Sequence, residues 1–432
     1  MKKQSNPIGA LFSASVLWFT ATISGAQSLT WLGTLGTGDS SASGVSDDGT
    51  IIVGQADSKA VVWNRASNTV TQVYSGDSIL ADCDASGSRA VGFTGNYPSQ
   101  SAMMWTAQAG FQWLPPAPSQ FSWAADITPS GAYAVGKAAA PISGDKLPAL
   151  WNLTQNPPSY ATYAAGPGMY HGEAYGISDD GRTIVAFGHG SGWGYRGVVF
   201  HLASDGSIDW WFFLMPASGH YGCVPYDLSG DGTVAIGISG DPWGSSTYSP
   251  VMWCATNNWQ PELLANLGGS RGSAASIRGD VLVGSCRTSG GQDRAVRWRL
   301  STATSQVEDL NQTYSNLLSN GSILKSASAL SANGRFIVGQ GYNAATARNE
   351  AFLLDTAASP NVPLRFTEIA PLADGRFRLS VTGAPGANIE ILVSTNLQAW
   401  GALTNLPNPS GSLQFTDAPA PQTVRFYRAR YP

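Results

Sequence analysis

Carboxylates, imidazoles and tryptophans carry what chemistry this sequence offers. The acids stand out as Asp47-Asp48, Asp179-Asp180 and Asp231, and paired carboxylates can act as general acid and base or hold Ca²⁺. Each group, though, stands immediately before a glycine, and matching segments carry Ser86 or Asn333 in that place. Asp, Asn and Ser all bond their own backbone in tight turns, so these are read as turn residues and no catalytic group is assigned. His171, His189 and His220 lack the spacing of metal ligands. Cys83, Cys223, Cys254 and Cys286 match no CxxC motif, and neither His-Glu-x-x-His nor a phosphate loop occurs. No metal and no cofactor is expected, and one disulfide at most. Trp63, Trp105, Trp151, Trp253 and Trp298 recur at one fixed place, the pattern of packing residues and not of a sugar-stacking ladder.

The elements that position these residues follow from composition and repetition. Charged residues make up 12% of the 432, while Gly 50 and Pro 25 are abundant and 43% is hydrophobic. That content can bury a core, so disorder by charge is excluded, and Gly and Pro at this density break long helices but suit short strands and turns. Seven self-similar segments run from Ser43-Gly-Val-Ser-Asp-Asp-Gly49-Thr-Ile-Ile-Val-Gly54 to Ser328–Gly339. Their turn glycines, Gly49, Gly87, Gly131, Gly181, Gly232, Gly279 and Gly334, are spaced 38 to 55 residues apart, the length of a propeller blade. Each segment reads as a strand, a tight hairpin turn and a Val/Ile-rich strand ending in Gly. A third strand follows, as in Ala60-Val-Val-Trp63 or Val251-Met-Trp253, and then a fourth, as in Trp210-Trp-Phe-Phe213. Four strands per unit and seven units predict an all-β, seven-bladed β-propeller. The seventh segment lacks its fourth strand, and Leu29–Gly36 resembles the missing piece, which would fasten the last blade to the first.

In such a ring the second-to-third-strand loops and the loops leading to the next blade emerge on one face. They carry Phe121 and Trp123, Tyr170 and His171, His189, Trp193 and Tyr195, His220 and Tyr221, then Trp243 and Tyr248. Aromatic rings among Gly and Ser suit a glycan or extracellular protein ligand, because flat rings give contact area at low entropic cost. Rings that merely cover the loops are the other reading. These ten candidates are Trp123, Tyr170, His171, His189, Trp193, Tyr195, His220, Tyr221, Trp243 and Tyr248. A polysaccharide hydrolase or lyase on the same fold would show acids clustered at the central opening of this face; a purely structural extracellular repeat protein would show neither acids nor binding.

The run Leu-Gly-Thr-Leu-Gly, then Gly-Val-Ser-Asp-Asp-Gly-Thr-Ile-Ile-Val-Gly-Gln, then Ala-x-x-Trp resembles the bacterial extracellular HAF repeats over about three quarters of the chain. The resemblance implies secreted or surface-associated β-propeller-like repeats and no particular chemistry. Lys59, Ser101, Arg196, Ser249, Arg294 and Glu350 stand where the name-giving His would. After Ser359-Pro360-Asn361-Val362-Pro363 the repeat ends and six short alternating strands predict a small β-sandwich. Its Val393-Ser-Thr-Asn-Leu-Gln-Ala-Trp400 and Arg425-Phe-Tyr-Arg428 resemble C-terminal modules of secreted verrucomicrobial and planctomycetal proteins. At the other end, Lys2 and Lys3 precede the apolar run Ile8–Ile23 and Ser24-Gly25-Ala26, a Sec signal peptide. The expected organisation is signal peptide 1–26, propeller 27–359 and sandwich module 360–432, with export to the exterior or cell surface and no transmembrane segment after cleavage. Loss of Lys2 and Lys3 moves the formal charge from −4 to −6, which leaves no electrostatic footprint for nucleic acid.

Overall fold

A computed structural model describes residues 27–430 except 97–98, 117–119, 167, 191–193, 241–246, 301–305, 357–363, 373–375, 384–386, 409–411 and 419–424. The expected signal peptide and the Pro-containing linker lie outside the described residues. The chain divides into two compact units, of which Gln27–Thr356 is one and the C-terminal strands belong to the other. Among the described residues no helix is long and apolar enough to cross a membrane.

The first unit is a seven-bladed propeller. Blade 1 is typical, an antiparallel meander of Ser40–Val45, Ile51–Ala56, Lys59–Asn64 and Thr69–Gln72. Six further blades repeat it, and their first strands contact one another all the way round the axis. Ser28–Trp31 fills the vacant fourth place of blade 7, pairing antiparallel with Arg348–Asp355 so that Leu29 faces Leu354 and Trp31 faces Phe352. This strand thus fastens blade 7 to the chain that leads into blade 1 and covers the edge of Arg348–Asp355.

Burial explains why the blades stay together. Seven apolar clusters fill the seven blade-to-blade interfaces; the one between blades 2 and 3 joins Val91, Ala102 and Met104 to Ala124, Ile127, Ala134 and Trp151. The recurrent tryptophans lie in or against these clusters. Trp151 Nε1 donates to Pro115 O at 2.5 Å, Trp253 to Met215 O at 2.8 Å and Trp298 to Ala265 O at 2.8 Å. Each acceptor follows the outer strand of the preceding blade, so each indole staples two blades while burying its ring.

Two local devices recur, a bulge in every blade and a glycine opposite it in six of the seven. The first strand bulges just after the repeated small residue, at Ala42/Gly44, Leu80/Asp82, Ala124/Asp126, Ala174/Gly176, Pro225/Asp227, Ala274/Ser276 and Ala327/Ala329, which bends the strand and sharpens its twist. Opposite, within the second strand, stands a repeated glycine, which the sequence pattern placed at that strand's end. At Gly237 an added Cβ would collide with the Val224 carbonyl oxygen, and five other copies place a glycine in the same way; blade 4 has Ala186 there. The turn acids do what their place predicts: Asp48 Oδ1 accepts from Ser46 Oγ at 2.7 Å and from Thr50 N at 2.8 Å, and Asp180 and Asp231 repeat the pattern. The four cysteines form no disulfide.

The second unit, described by itself, holds two three-stranded antiparallel sheets. Arg365–Pro371, Phe377–Thr382 and Ser412–Thr416 make one; Gly401–Asn408, Ala387–Ser394 and Phe426–Arg430 make the other. Leu379, Val381, Ile389 and Ile391 are its fully buried core, flanked by Phe366, Leu413, Phe415 and Tyr427, the layering of a small sandwich.

Candidate functional site

The chemistry-bearing residues of the loop face gather on blades 2 to 4. In blade 3 the first strand Ser122–Ile127 and second strand Tyr133–Ala139 set Trp123 directly opposite Lys137. In blade 4 the first strand Met169–Ile177 carries His171, Glu173 and Tyr175, alternate residues on one face. A single parallel pair, Lys146 with His171, bridges the two blades and brings these faces together. Lys137 is almost fully buried, its side chain 2% exposed, and a buried ammonium must be paired. Its Nζ donates to Glu173 Oε1 at 2.5 Å, lies 3.0 Å from His171 Nε2, and stands 5.4 Å from the centroid of the Phe121 ring. The Tyr175 hydroxyl donates to Glu173 Oε2 at 2.6 Å. Burial works against the Glu173 charge, but the neighbouring His171, the charge and bond of Lys137 and the Tyr175 hydroxyl outweigh it and hold the carboxyl down to about 2. Burial, then Glu173, pushes the Tyr175 phenol up.

A cleft of ≈ 220 Å³ opens above this network, lined by Phe93, Gln100, Phe121, Trp123, Lys137 and Glu173. Its rings belong to an aromatic arc across four successive blades. Phe93 meets Trp123 at 5.7 Å, Trp123 meets Tyr175 at 5.6 Å and Tyr175 meets Tyr226 at 5.9 Å between centroids, every contact edge to face. Such geometry suits ring quadrupoles and fixes the rings without stacking them away from solvent.

Of the ten residues expected in the loops of this face, Trp123, Tyr170, His171, His189, Tyr195 and Tyr248 stand instead in strands, because the blade strands run further toward this face than the repeat alone shows; Trp123 lines the cleft and His171 joins its polar network. Tyr170, 45% exposed, forms an edge contact with His189 at 4.9 Å. His220 takes a different role. Its Nδ1 lies 2.8 Å from Ser239 Oγ, which also accepts from the Ala217 amide, so it fixes the loop entering blade 5. Tyr221 is 87% exposed, and Tyr248 packs on Phe187, Val224 and Ile238. Trp193 and Trp243 lie outside the described residues, as does the side chain of Tyr195. Lys137, Glu173, Tyr175, Phe93 and Gln100 escaped attention because four of them sit in strands. A signal was present: Lys137 occupies the place held elsewhere by Gln55, Phe93, Phe187, Ile238, Ser285 and Gln340, and Glu173 that of Ser41, Ile79, Trp123, Val224, Ser273 and Ser326. Each is the one charge in its column.

Acids also converge near the axis, but for another purpose. Asp82, Asp126 and Asp227 occupy bulge positions of blades 2, 3 and 5. Asp126 accepts from the Ile127 amide at 2.8 Å and from Ile177 of the next blade at 3.0 Å; Asp227 accepts from Leu228 at 2.7 Å and from Ile277 at 2.9 Å. Arg278 Nη1 donates to Asp227 at 3.0 Å. The carboxylates satisfy amides that the bulges leave without a ladder partner. Burial, only partly offset by Arg278, raises Asp82 to about 6, and burial with the Asp82 and Asp227 charges raises Asp126. The string Gly268-Gly269-Ser270-Arg271-Gly272 has the spacing of a hydrolase nucleophile elbow, but it runs inside the strand Gly268–Arg278 and not on a strand-to-helix turn. Among the described residues no group of three or more His, Cys, Asp or Glu could hold a metal ion.

No family model matches the chain, and no curated protein does. Among solved structures, TolB from Acinetobacter baumannii is 11% identical with a TM-score of 0.39, over 74% of this chain and 63% of that one. The chain thus spans less than two thirds of that TolB. Hydrazine synthase of Kuenenia stuttgartiensis is 14% identical with a TM-score of 0.44, over 73% of this chain and 95% of that one. The β-propeller domain of the Trilobed protease from Pyrococcus furiosus is 8% identical with a TM-score of 0.39, over 80% and 99%.

Proposed function

We propose that this chain is a secreted or cell-surface binding protein of HAF-repeat type, exported after removal of residues 1–26, whose propeller loop face binds an extracellular glycan. The observation that supports this best is the cleft bounded by Phe93, Phe121 and Trp123 with Lys137 and Glu173 at its polar side: aromatic walls beside a few convergent polar groups are what an orienting small-ligand site needs. An acid held down to about 2 is ionised throughout the physiological range. Glu173 therefore accepts hydrogen bonds from hydroxyls, and among the described residues no second carboxyl lines the cleft beside it, which favours binding over glycosidic cleavage, a reaction that takes a pair of carboxyls. The test is a glycan array with the full mature protein, repeated with Trp123→Ala. Retention on a defined glycan, weakened about tenfold or more in the variant, supports the reading. Capture of an extracellular protein alone, with no glycan retained, replaces it by a protein-binding one.

A further inference from the structure

Resting on that reading, we infer that the cleft selects an uncharged sugar ring, a neutral pyranose at a chain end, over acidic or amino sugars. The argument begins with the donors of Lys137. An ammonium has three N–H groups, and here the groups around Nζ are Glu173 Oε1 at 2.5 Å, His171 Nε2 at 3.0 Å and the Phe121 ring. The cation is thus engaged inside the protein before any ligand arrives. Glu173 keeps acceptor capacity, since Oε1 holds Lys137 and Oε2 holds Tyr175 while each carboxylate oxygen can accept twice. Gln100 also lines the cleft, and an amide both donates and accepts.

A closed ion pair disfavours ionic ligands of either sign. A uronate would bring a carboxylate beside Glu173 with the cation already neutralised, and an amino sugar would bring an ammonium beside Lys137. Like charges at such range are unfavourable, and neither ligand meets an un-neutralised counter-charge, because the cleft's carboxylate and ammonium are already paired with each other. Lys146 is the remaining cation nearby; its Nζ stands 4.2 Å from the Phe121 centroid and it does not line the cleft. What the cleft offers a ligand is two rings in edge-to-face contact, Phe93 and Trp123 at 76°, with the acceptors of Glu173 and Gln100 in the same lining. That complements a ring with one apolar C–H face and equatorial hydroxyl donors. The volume, ≈ 220 Å³, is below the roughly 300 Å³ at which pockets begin to take drug-sized ligands, so one ring enters.

The experiment is an array carrying neutral, uronate-, sulfate- and amino-ended oligosaccharides, followed by titration of the best ligand into the full mature protein at low and high salt. The expected result is a neutral-ended ligand whose affinity changes less than about twofold between about 0.05 and 0.5 M salt, because no phosphate-like or carboxylate charge is being paired. Glu173→Gln removes the ion-pair partner of the buried Lys137, so the double variant Glu173→Gln with Lys137→Met is made as well. It keeps an acceptor without the ion pair, and should retain the neutral ligand within about tenfold. Preferential binding of a uronate or amino sugar, or a tenfold loss at high salt, overturns the selectivity but leaves glycan binding standing. Retention of no sugar overturns both.

Discussion

Trp151, Trp253 and Trp298 each give an indole N–H to the preceding blade, whereas Trp63 Nε1 is buried with no partner. Replacing Trp253 by Phe leaves the Met215 carbonyl without its donor, a loss of about 1 to 3 kcal/mol beyond that of ring area. Trp63→Phe removes an unsatisfied donor, so chemical denaturation should show it the milder of the two; equal costs would show that the staples add nothing. A second expectation concerns Asp82, raised to about 6 from 3.8 by burial. The folded state holds the extra proton between those values, so its contribution to stability is full below about pH 3.8 and is lost as pH rises through 6. Asp82→Asn should flatten that part of the stability profile, and an unchanged slope would count against a raised, buried Asp82. The turn acids and packing tryptophans were legible in the sequence because each recurs with its reason. Lys137 and Glu173 were not, because propensity places strand residues in a core and only comparison between columns exposes a lone charge.

At the scale of elements, the repeat made strand count and order readable, since Asp-Gly or Asn-Gly turns punctuate apolar runs of fixed length. The bulges were not readable. Nothing in Ala-x-x-Ile periodicity shows that one residue drops out of the ladder, yet opposite that displacement six of the seven blades bring a carbonyl so close that an added Cβ would collide with it. Gly237→Ala should therefore cost at least about 1 to 3 kcal/mol, as overpacking does, because the added Cβ meets the Val224 carbonyl and not a movable side chain. Ala186→Gly, at the corresponding site of blade 4, should cost only about 0.5 to 1 kcal/mol through chain entropy. Thermal melts of the two variants separate these values, and a silent Gly237→Ala would contradict the bulge account.

At the scale of the propeller, the ring is closed at blade 7, whereas the cleft is lined by residues of blades 2 to 4. Deleting residues 28–37 removes the strand facing Leu354 and Phe352, exposes the edge of blade 7 and should sharply lower the melting temperature. Deleting 361–432 should leave the propeller folded. A parent-like melt of the first deletion would contradict closure by the N-terminal strand. The claim on which the functional account rests is that the rings of the loop face serve a ligand and not the fold. Calorimetric titration of the array-selected glycan into Trp123→Ala, with a melt of the same sample, tests it most directly. The account predicts binding weakened by about 1 to 3 kcal/mol with the melting temperature close to the parent's. A variant that melts far below the parent yet binds the glycan unchanged at lower temperature would make Trp123 a packing residue and contradict the binding face.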